Sequence, residues 1–461
     1  MLKRTILLGL FLTFAATAHA AVFYPTSFTL ANGLQIVVVP NHLAPAVNQM
    51  VWYKVGSADE TPGETGLAHY LEHLMFRGTS NMAPGDFSKI IAAQGGNDNA
   101  FTSYDYTAFH ETVAADRLPM IMQMEADRMQ NLQIMPETAT PELSVVLDER
   151  QQRTDNDPQG RFNEKVRHLL MPHYPYGVPV IGWKPEIEKL TAVLADAFYH
   201  RHYAPNNAVV IISGDVTPEH VMELATAIYG SIPRRDVPAR KTFPALPEPK
   251  RNNFEMVDVG VEQPQMEFNV VVPSYSTQQG NEAYAYEVLA EVLDGGEVGV
   301  LYRHLAVEQK LAGGTQTSYD PDARGPALFT IALTPRPGIS PKKLEKALHD
   351  ELEGLASKSL DPNEIKSAKE RLQRAAIFAR DNLMAPGYSF GSALTTGHGV
   401  TDVEEWPDRI NAVSDDDVNK ALRDYVASTH SIMASLLPDA HATAAQREAA
   451  HSLIDHDRGI R

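Results

Sequence analysis

The sequence predicts an α+β protein built from two homologous domains, each a mostly antiparallel sheet covered by helices. Three observations carry that prediction. The chain has 461 residues, too many for one ordinary core. A stretch near its middle, residues 232–252, contains five prolines and little hydrophobic periodicity, the signature of an exposed, fairly stiff linker. On either side of it, helix and strand patterns recur in the same order.

Hydrophobic residues make up 43% of the chain and charged residues 21%, a balance that supports a packed core and excludes wholesale disorder. The first twenty residues read as a secretory signal. Lys3 and Arg4 precede the apolar run from Ile6 to Thr17, and Ala18-His19-Ala20 forms the cleavage site. The expected domains are therefore signal 1–20, N-terminal domain 21–231, linker 232–252 and C-terminal domain 253–461. No later stretch is long and apolar enough to span a membrane. The chain has no cysteine, so an exported protein of this sequence relies on packing rather than disulfides. These features place it in the Gram-negative periplasm or outside the cell. The formal charge is −18, and removing Lys3 and Arg4 leaves 38 basic against 58 acidic residues. Such an excess keeps a protein soluble and argues against a nucleic-acid partner.

After the signal, two β-rich runs around Ser27 and Ile36 flank Asn32-Gly33, a hairpin turn. Residues 65–76 carry apolar side chains at helical spacing, between Pro62-Gly63 and Gly78. Residues 99–113 alternate aromatic and polar side chains as a strand pair does. Helices are expected at 118–132 and 141–153, the second with Thr140 as N-cap and Pro141 in its first turn. A helix over 190–203 and an apolar strand from Ala208 follow. The segment from Thr140 has a counterpart at Leu360, and 190–215 has one at 413–438, which suggests two copies of one fold. His200 and His202, two apart on a helix, read as surface residues.

His69-Tyr70-Leu71-Glu72-His73 is an H-x-x-E-H pattern, which composition alone would produce only about 0.04 times in such a chain. Positions i, i+3 and i+4 share one helix face. His69 and His73 can thus hold one zinc while Glu72 accepts a proton from water. Catalytic zinc takes three protein ligands. Glu142 and Glu149, seven apart on the later helix, share a face, so that one can ligate and the other support.

With Glu149 seventy-six residues after His73, the chain resembles the pitrilysin/insulinase family of zinc peptidases. Gly66-Leu67-Ala68, the run from Gly95 to Thr102, Pro175-Tyr176-Gly177 and Tyr203-Ala204-Pro205-Asn206-Asn207 extend the resemblance. It is similar to the short two-domain bacterial members and the zinc-bearing subunit of mitochondrial processing peptidase. The resemblance implies one zinc per chain, bound by His69, His73 and Glu149. It makes Glu72 the general base and gives Glu142 a supporting catalytic role. It also makes Asn99, Ala100 and Phe101 part of an edge strand that pairs with extended peptide substrates. The implied activity is that of a zinc metalloendopeptidase.

One departure stands out. Active single-chain relatives carry, in the C-terminal half, an arginine and a tyrosine seven residues apart that hold substrate near the zinc. Alignment places Ala306 and Gly313 there, unless a slip in register substitutes Arg303 with Tyr302 or Tyr319. The resemblance then implies a heterodimer in which a homologous subunit, itself without the zinc motif, supplies the pair. Two rivals remain. A silent structural or peptide-binding subunit of the same family would carry a broken zinc motif, and this one is intact. A chaperone module with structural zinc would close a fourth ligand.

Overall fold

Two sheets with matching strand order organise the chain, of which the computed structural model describes residues 21–450. The expected signal segment lies outside the described residues. The first half contains β1 (Thr26–Thr29), β2 (Gln35–Pro40), β3 (Ala46–Tyr53), α1 (Leu67–Leu74), α2 (Asp86–Ala93), β4 (Asn97–Thr102) and β5 (Thr107–Ala114). Next come α3 (Leu118–Asn131), α4 (Pro136–Arg150), α5 (Pro158–Leu170), α6 (Lys184–Ile187), α7 (Ala192–His202), β6 (Ala208–Gly214) and α8 (Pro218–Tyr229). The second half begins with β7 (Arg251–Asp258), β8 (Gln265–Val272), α9 (Glu282–Leu293), β9 (Ala312–Tyr319), β10 (Ala327–Pro335) and α10 (Pro341–Lys358). It ends with α11 (Pro362–Ala379), α12 (Ala385–Thr396), α13 (Val400–Glu404), α14 (Trp406–Ala412), α15 (Asp415–Ala427) and β11 (Ser431–Pro438).

The first sheet runs β1-β2-β6-β3-β5-β4 and the second β7-β11-β8-β10-β9. In each, a single parallel pair, β2 with β6 or β7 with β11, joins an otherwise antiparallel sheet. Strands β2, β6, β3, β5 and β4 therefore match β7, β11, β8, β10 and β9 one for one. The weak echo in sequence corresponds to a duplicated topology. The central β6 is buried along its whole length, which is why it reads as a continuous Val/Ile run rather than an alternating one. Apolar clusters on the α1, α3, α4 and α7 side of the first sheet and the α9, α10, α11 and α15 side of the second form the two cores.

The halves interlock. Helix α12 covers the outer face of the first sheet, where Phe390 and Leu394 join Val37, Met50, Trp52 and Ile211. Helix α5 does the same for the second sheet, where Phe162, Val166 and Leu170 meet Ile432, Ala434 and Leu436. Gly391 permits the α12 contact, because a Cβ there would stand 2.0 Å from the indole of Trp52. Each sheet thus borrows one covering helix from the opposite half.

The segment between α8 and β7 lacks regular secondary structure and is mostly exposed. Arg240 within it is nonetheless pinned. Its guanidinium donates to Asp59 Oδ2 at 2.6 Å, to the Asp105 carbonyl at 2.7 Å and to the Thr395 carbonyl at 2.8 Å. Arg324 completes the junction with Asp59 Oδ1 at 3.2 Å, and its backbone N–H donates to Asp105 Oδ2.

Two local expectations change. Helix α4 starts at Pro136 rather than Pro141, so Pro141 lies inside it and gives up one hydrogen bond. His202 is buried against Phe198, with ring centroids 4.7 Å apart, while His200 is exposed. Burial lowers the His202 pKa to about 4.

Candidate metal centre

Helix α1 is set by what precedes it. Gly66 caps it with φ of +90°, and a Cβ there would stand 2.5 Å from the Ile181 carbonyl oxygen, so only glycine fits. The buried Glu60 carboxylate accepts hydrogen bonds from the N–H groups of Gly66 (3.0 Å) and Ala68 (2.8 Å). Two otherwise orphaned donors are satisfied and the positive end of the helix is complemented. The opposite face buries Tyr70, Leu71 and Leu74, and Tyr70 ties α1 to α4 by donating to the Ala139 carbonyl at 2.6 Å. His69, Glu72 and His73 are left facing a cleft.

The cleft, about 410 Å³, lies between α1, α4 and β4. One ligand atom from each of His69, His73 and Glu149 falls within 4.8 Å of the others. Glu149 Oε2 is 3.1 Å from His73 Nε2 and 3.6 Å from His69 Nε2. Two imidazole nitrogens and a carboxylate oxygen, converging from two helices and open to the cleft, form the donor set that catalytic zinc takes. The residues present therefore fit the metal.

Neighbours hold each donor. Glu142 Oε1 accepts from His73 Nδ1 at 2.8 Å, fixing the ring so that Nε2 faces the cluster. Arg77 pairs with Glu142 at 2.5 Å and Arg153 with Glu149 at 2.6 Å. Glu72 stands beside the cluster, its Oε2 accepting from the Thr102 hydroxyl at 2.5 Å. The charges follow. Burial, reinforced by the charge of His73, lowers the His69 pKa to about 4, keeping it a neutral donor. Burial opposes charge on His73, but hydrogen bonds to Glu142 and Glu149 outweigh it and raise its pKa to about 9. Burial pushes Glu149 up, yet the hydrogen bond from His73 and the charges of His69 and Arg153 hold it at about 2. Burial raises Glu72 above the usual carboxylate range, the direction that suits a proton acceptor working near neutral pH.

Asn99, Ala100 and Phe101 line the same cleft on β4, the terminal strand of its sheet, whose outer edge has no partner strand among the described residues. The Phe101 ring turns away to pack on Trp52 and Tyr388. Every residue lining the cleft belongs to the first half. Ala306 is buried in the second core and Gly313 lies on β9. Arg303 pairs with Glu364, and Tyr319 donates to the Pro273 carbonyl, so the alternative pair is engaged within the second half.

Arg77, Arg153, Thr102 and Glu60 escaped the sequence reading. The two arginines had a signal, since Arg77 lies four residues after His73 and Arg153 four after Glu149. Thr102 and Glu60 had none, because only the fold brings them to α1.

The sequence profile of the insulinase family, peptidase family M16, matches residues 35–182, and that of the M16 inactive domain matches residues 189–372. Zinc protease PqqE of Helicobacter pylori is 31% identical over 366 residues, 78% of this chain and 81% of the relative. This chain belongs to the insulinase family. An uncharacterized zinc protease of Streptomyces coelicolor is 29% identical, over 88% of each chain. Among solved structures, a protease from Helicobacter pylori superposes on this insulinase-family chain with a TM-score of 0.83 and 27% identity, covering 90% of this chain and all of that one. The periplasmic protease PqqL from Escherichia coli shares the fold, with a TM-score of 0.78 at 17% identity. The match covers 94% of this chain and 50% of PqqL. Among the described residues, no helix is long and apolar enough to cross a membrane.

Proposed function

We propose that this protein is a zinc-dependent endopeptidase of extended or unfolded peptides, acting as the zinc-bearing subunit of a heterodimer. The observation that carries the reading is the convergence of His69, His73 and Glu149 beside Glu72, in a cleft bordered by a free strand edge. Residues 21–231 are the catalytic domain, 232–252 the linker and 253–461 a homologous domain without the zinc motif. His69, His73 and Glu149 would hold one zinc per chain, which when bound would supply a Lewis acid able to polarise a carbonyl and lower the pKa of a water.

The chain's own groups do the rest. Glu72 takes the proton of that water and delivers it to the leaving amine, with the Thr102 hydroxyl orienting its carboxylate. Glu142 holds the His73 ring. The β4 edge at Asn99, Ala100 and Phe101 grips the main chain of an extended substrate, so recognition is broad in sequence.

The second subunit is inferred from what the cleft lacks. No second-half residue lines it, and the resemblance to the family puts Ala306 and Gly313 where the arginine and tyrosine are expected. A homologous partner, exported to the same periplasmic space, supplies that pair across an enclosed chamber. This chain spans half the length of PqqL, a periplasmic protease of the same fold.

The test is hydrolysis of an unstructured peptide by the purified chain, by a co-purified or co-expressed homologous subunit, and by their mixture, with and without chelator. The isolated chain should be nearly inert and the mixture active, and chelation should abolish activity. Full activity of a rigorously monomeric sample overturns the heterodimer. A mixture inactive with zinc bound favours a silent, peptide-binding subunit instead.

A further inference from the structure

The second half contains a cavity of about 360 Å³ that the peptidase reading does not use. It opens beside the pair α9 and α11, the topological counterpart of the pair α1 and α4 that carries the donor cluster. Its walls come from α9, α11, α12, α13 and α14, and Phe23 of the first half closes one side. The lining is mostly apolar, a size and character suited to a small organic ligand.

Two carboxyl groups are set into this apolar surface. Glu287 accepts from Trp406 Nε1 at 3.0 Å and from the Tyr275 hydroxyl. Asp322 accepts through Oδ2 from Ser392 at 2.7 Å, and its Oδ1 has no donor among the described residues. Neither pairs with a lysine, arginine or histidine among the described residues, although both are half-buried. Asp402 on the same wall differs, being paired with Arg409 at 2.7 Å. Burial raises Glu287 to about 8 and Asp322 to about 6, as expected of carboxyls that lack a countercharge. Three aromatic side chains line the same cavity. Tyr275 and Tyr284 have ring centroids 4.8 Å apart, and the Trp406 indole donates to the Tyr275 oxygen at 3.0 Å. Carboxyl groups without a countercharge, together with π-faces in a desolvated cavity, attract a cation through both ion pairing and the ring quadrupoles.

We propose that this cavity binds an organic cation, an ammonium group carried on an aromatic or branched apolar body. Asp322 and Glu287 hold the charge, and Tyr275, Tyr284 and Trp406 receive the body. The neutral counterpart of such a ligand gains only the apolar contact and binds more weakly. The proposal is independent of zinc and of peptide hydrolysis, because none of these residues lines the metal cleft.

The test is calorimetric titration of the purified protein with 2-phenylethylammonium chloride and with 2-phenylethanol, its uncharged analogue, at one ionic strength. The ammonium should bind at least tenfold more tightly, and its binding should change the fluorescence of Trp406, a signal that Trp406→Phe removes. Asp322→Asn should weaken the ammonium at least tenfold and leave the alcohol unchanged. Glu287→Gln should act in the same direction. If that variant folds poorly, Asp322→Asn decides alone, since Asp322 has a single hydrogen-bond donor. Ala376→Leu, which fills the cavity, should remove binding of both compounds. Equal affinity for amine and alcohol, no effect of Asp322→Asn, or no binding of the amine at about ten millimolar would overturn the proposal.

Discussion

Helices α1 and α9 occupy equivalent places in their sheets, yet α1 presents the donor cluster of the metal cleft while α9 is mostly buried in packing, with Glu287 turned to the second-half cavity. Helix α1 buries Tyr70, Leu71 and Leu74 on one face and turns His69, Glu72 and His73 to a cleft, where α4 meets them with Glu142 and Glu149. Helix α9 buries Ala283, Tyr284, Ala285, Tyr286, Val288, Leu289, Val292 and Leu293, leaving three glutamates as its only charges. Of these, Glu291 pairs with Arg371 of α11, and Glu287 is enclosed by Tyr275 and Trp406. A duplicated topology therefore does not duplicate function. The helix pair is a frame, and the side chains on its inner face decide whether it presents ligands or closes a core.

That contrast can be broken at its strongest point first. Glu72→Gln should reduce peptide hydrolysis by about a hundred- to ten-thousand-fold while zinc content stays near one per chain. Lost metal or retained turnover in that variant would show that Glu72 is not the base. Next, Glu149→Gln should lower zinc affinity strongly, whereas Glu142→Gln should lower it by about ten- to a hundredfold, because Glu142 acts only through the ring of His73. Metal titration giving the reverse order would exchange the two roles.

Gly391→Ala probes the interlock that joins the halves. The added methyl collides with Trp52, so unfolding should be easier by about 1–3 kcal/mol, and denaturant titration reads the loss. An unchanged midpoint would mean that α12 can retreat from the sheet freely. The last test concerns pH. Glu287 has a folded pKa near 8 against an ordinary 4.5, raised by burial. Between those values the folded state holds more protons than the unfolded one, so the Glu287 contribution to stability falls as pH rises. Glu287→Gln removes that loss. The melting temperature of the variant relative to wild type should therefore increase from pH 5 to pH 8, and a difference that is flat or decreases with pH would refute the assignment.

Much of the site was legible in one dimension because its parts are local. H-x-x-E-H on one helix and Glu142 and Glu149 on another depend on helical periodicity alone, and periodicity survives in sequence. Thr140-Pro141 misled for a related reason. The pair has the local chemistry of a helix start, but the real start is Pro136, and packing of α4 against α1 carries the helix through Pro141 at the loss of one hydrogen bond. His202 was misread because alternation on a helix says nothing about what covers its end. Phe198 packs against it.

The sequence by itself determined the two-part α+β architecture and the shared helix faces of His69, Glu72 and His73 and of Glu142 and Glu149 through short-range patterns of spacing and polarity, and its resemblance to the insulinase family singled out Glu149 as the third donor. Tertiary structure decided everything that joins segments far apart in the chain. It brought Glu60 to the start of α1, Thr102 to Glu72 and Arg324 to Asp59, and it exchanged covering helices between the two sheets. The physical reason is that a helix advertises its own face in its period, whereas the partner of that face is selected by packing and by the need to satisfy buried polar groups, neither of which leaves a fixed spacing in the chain.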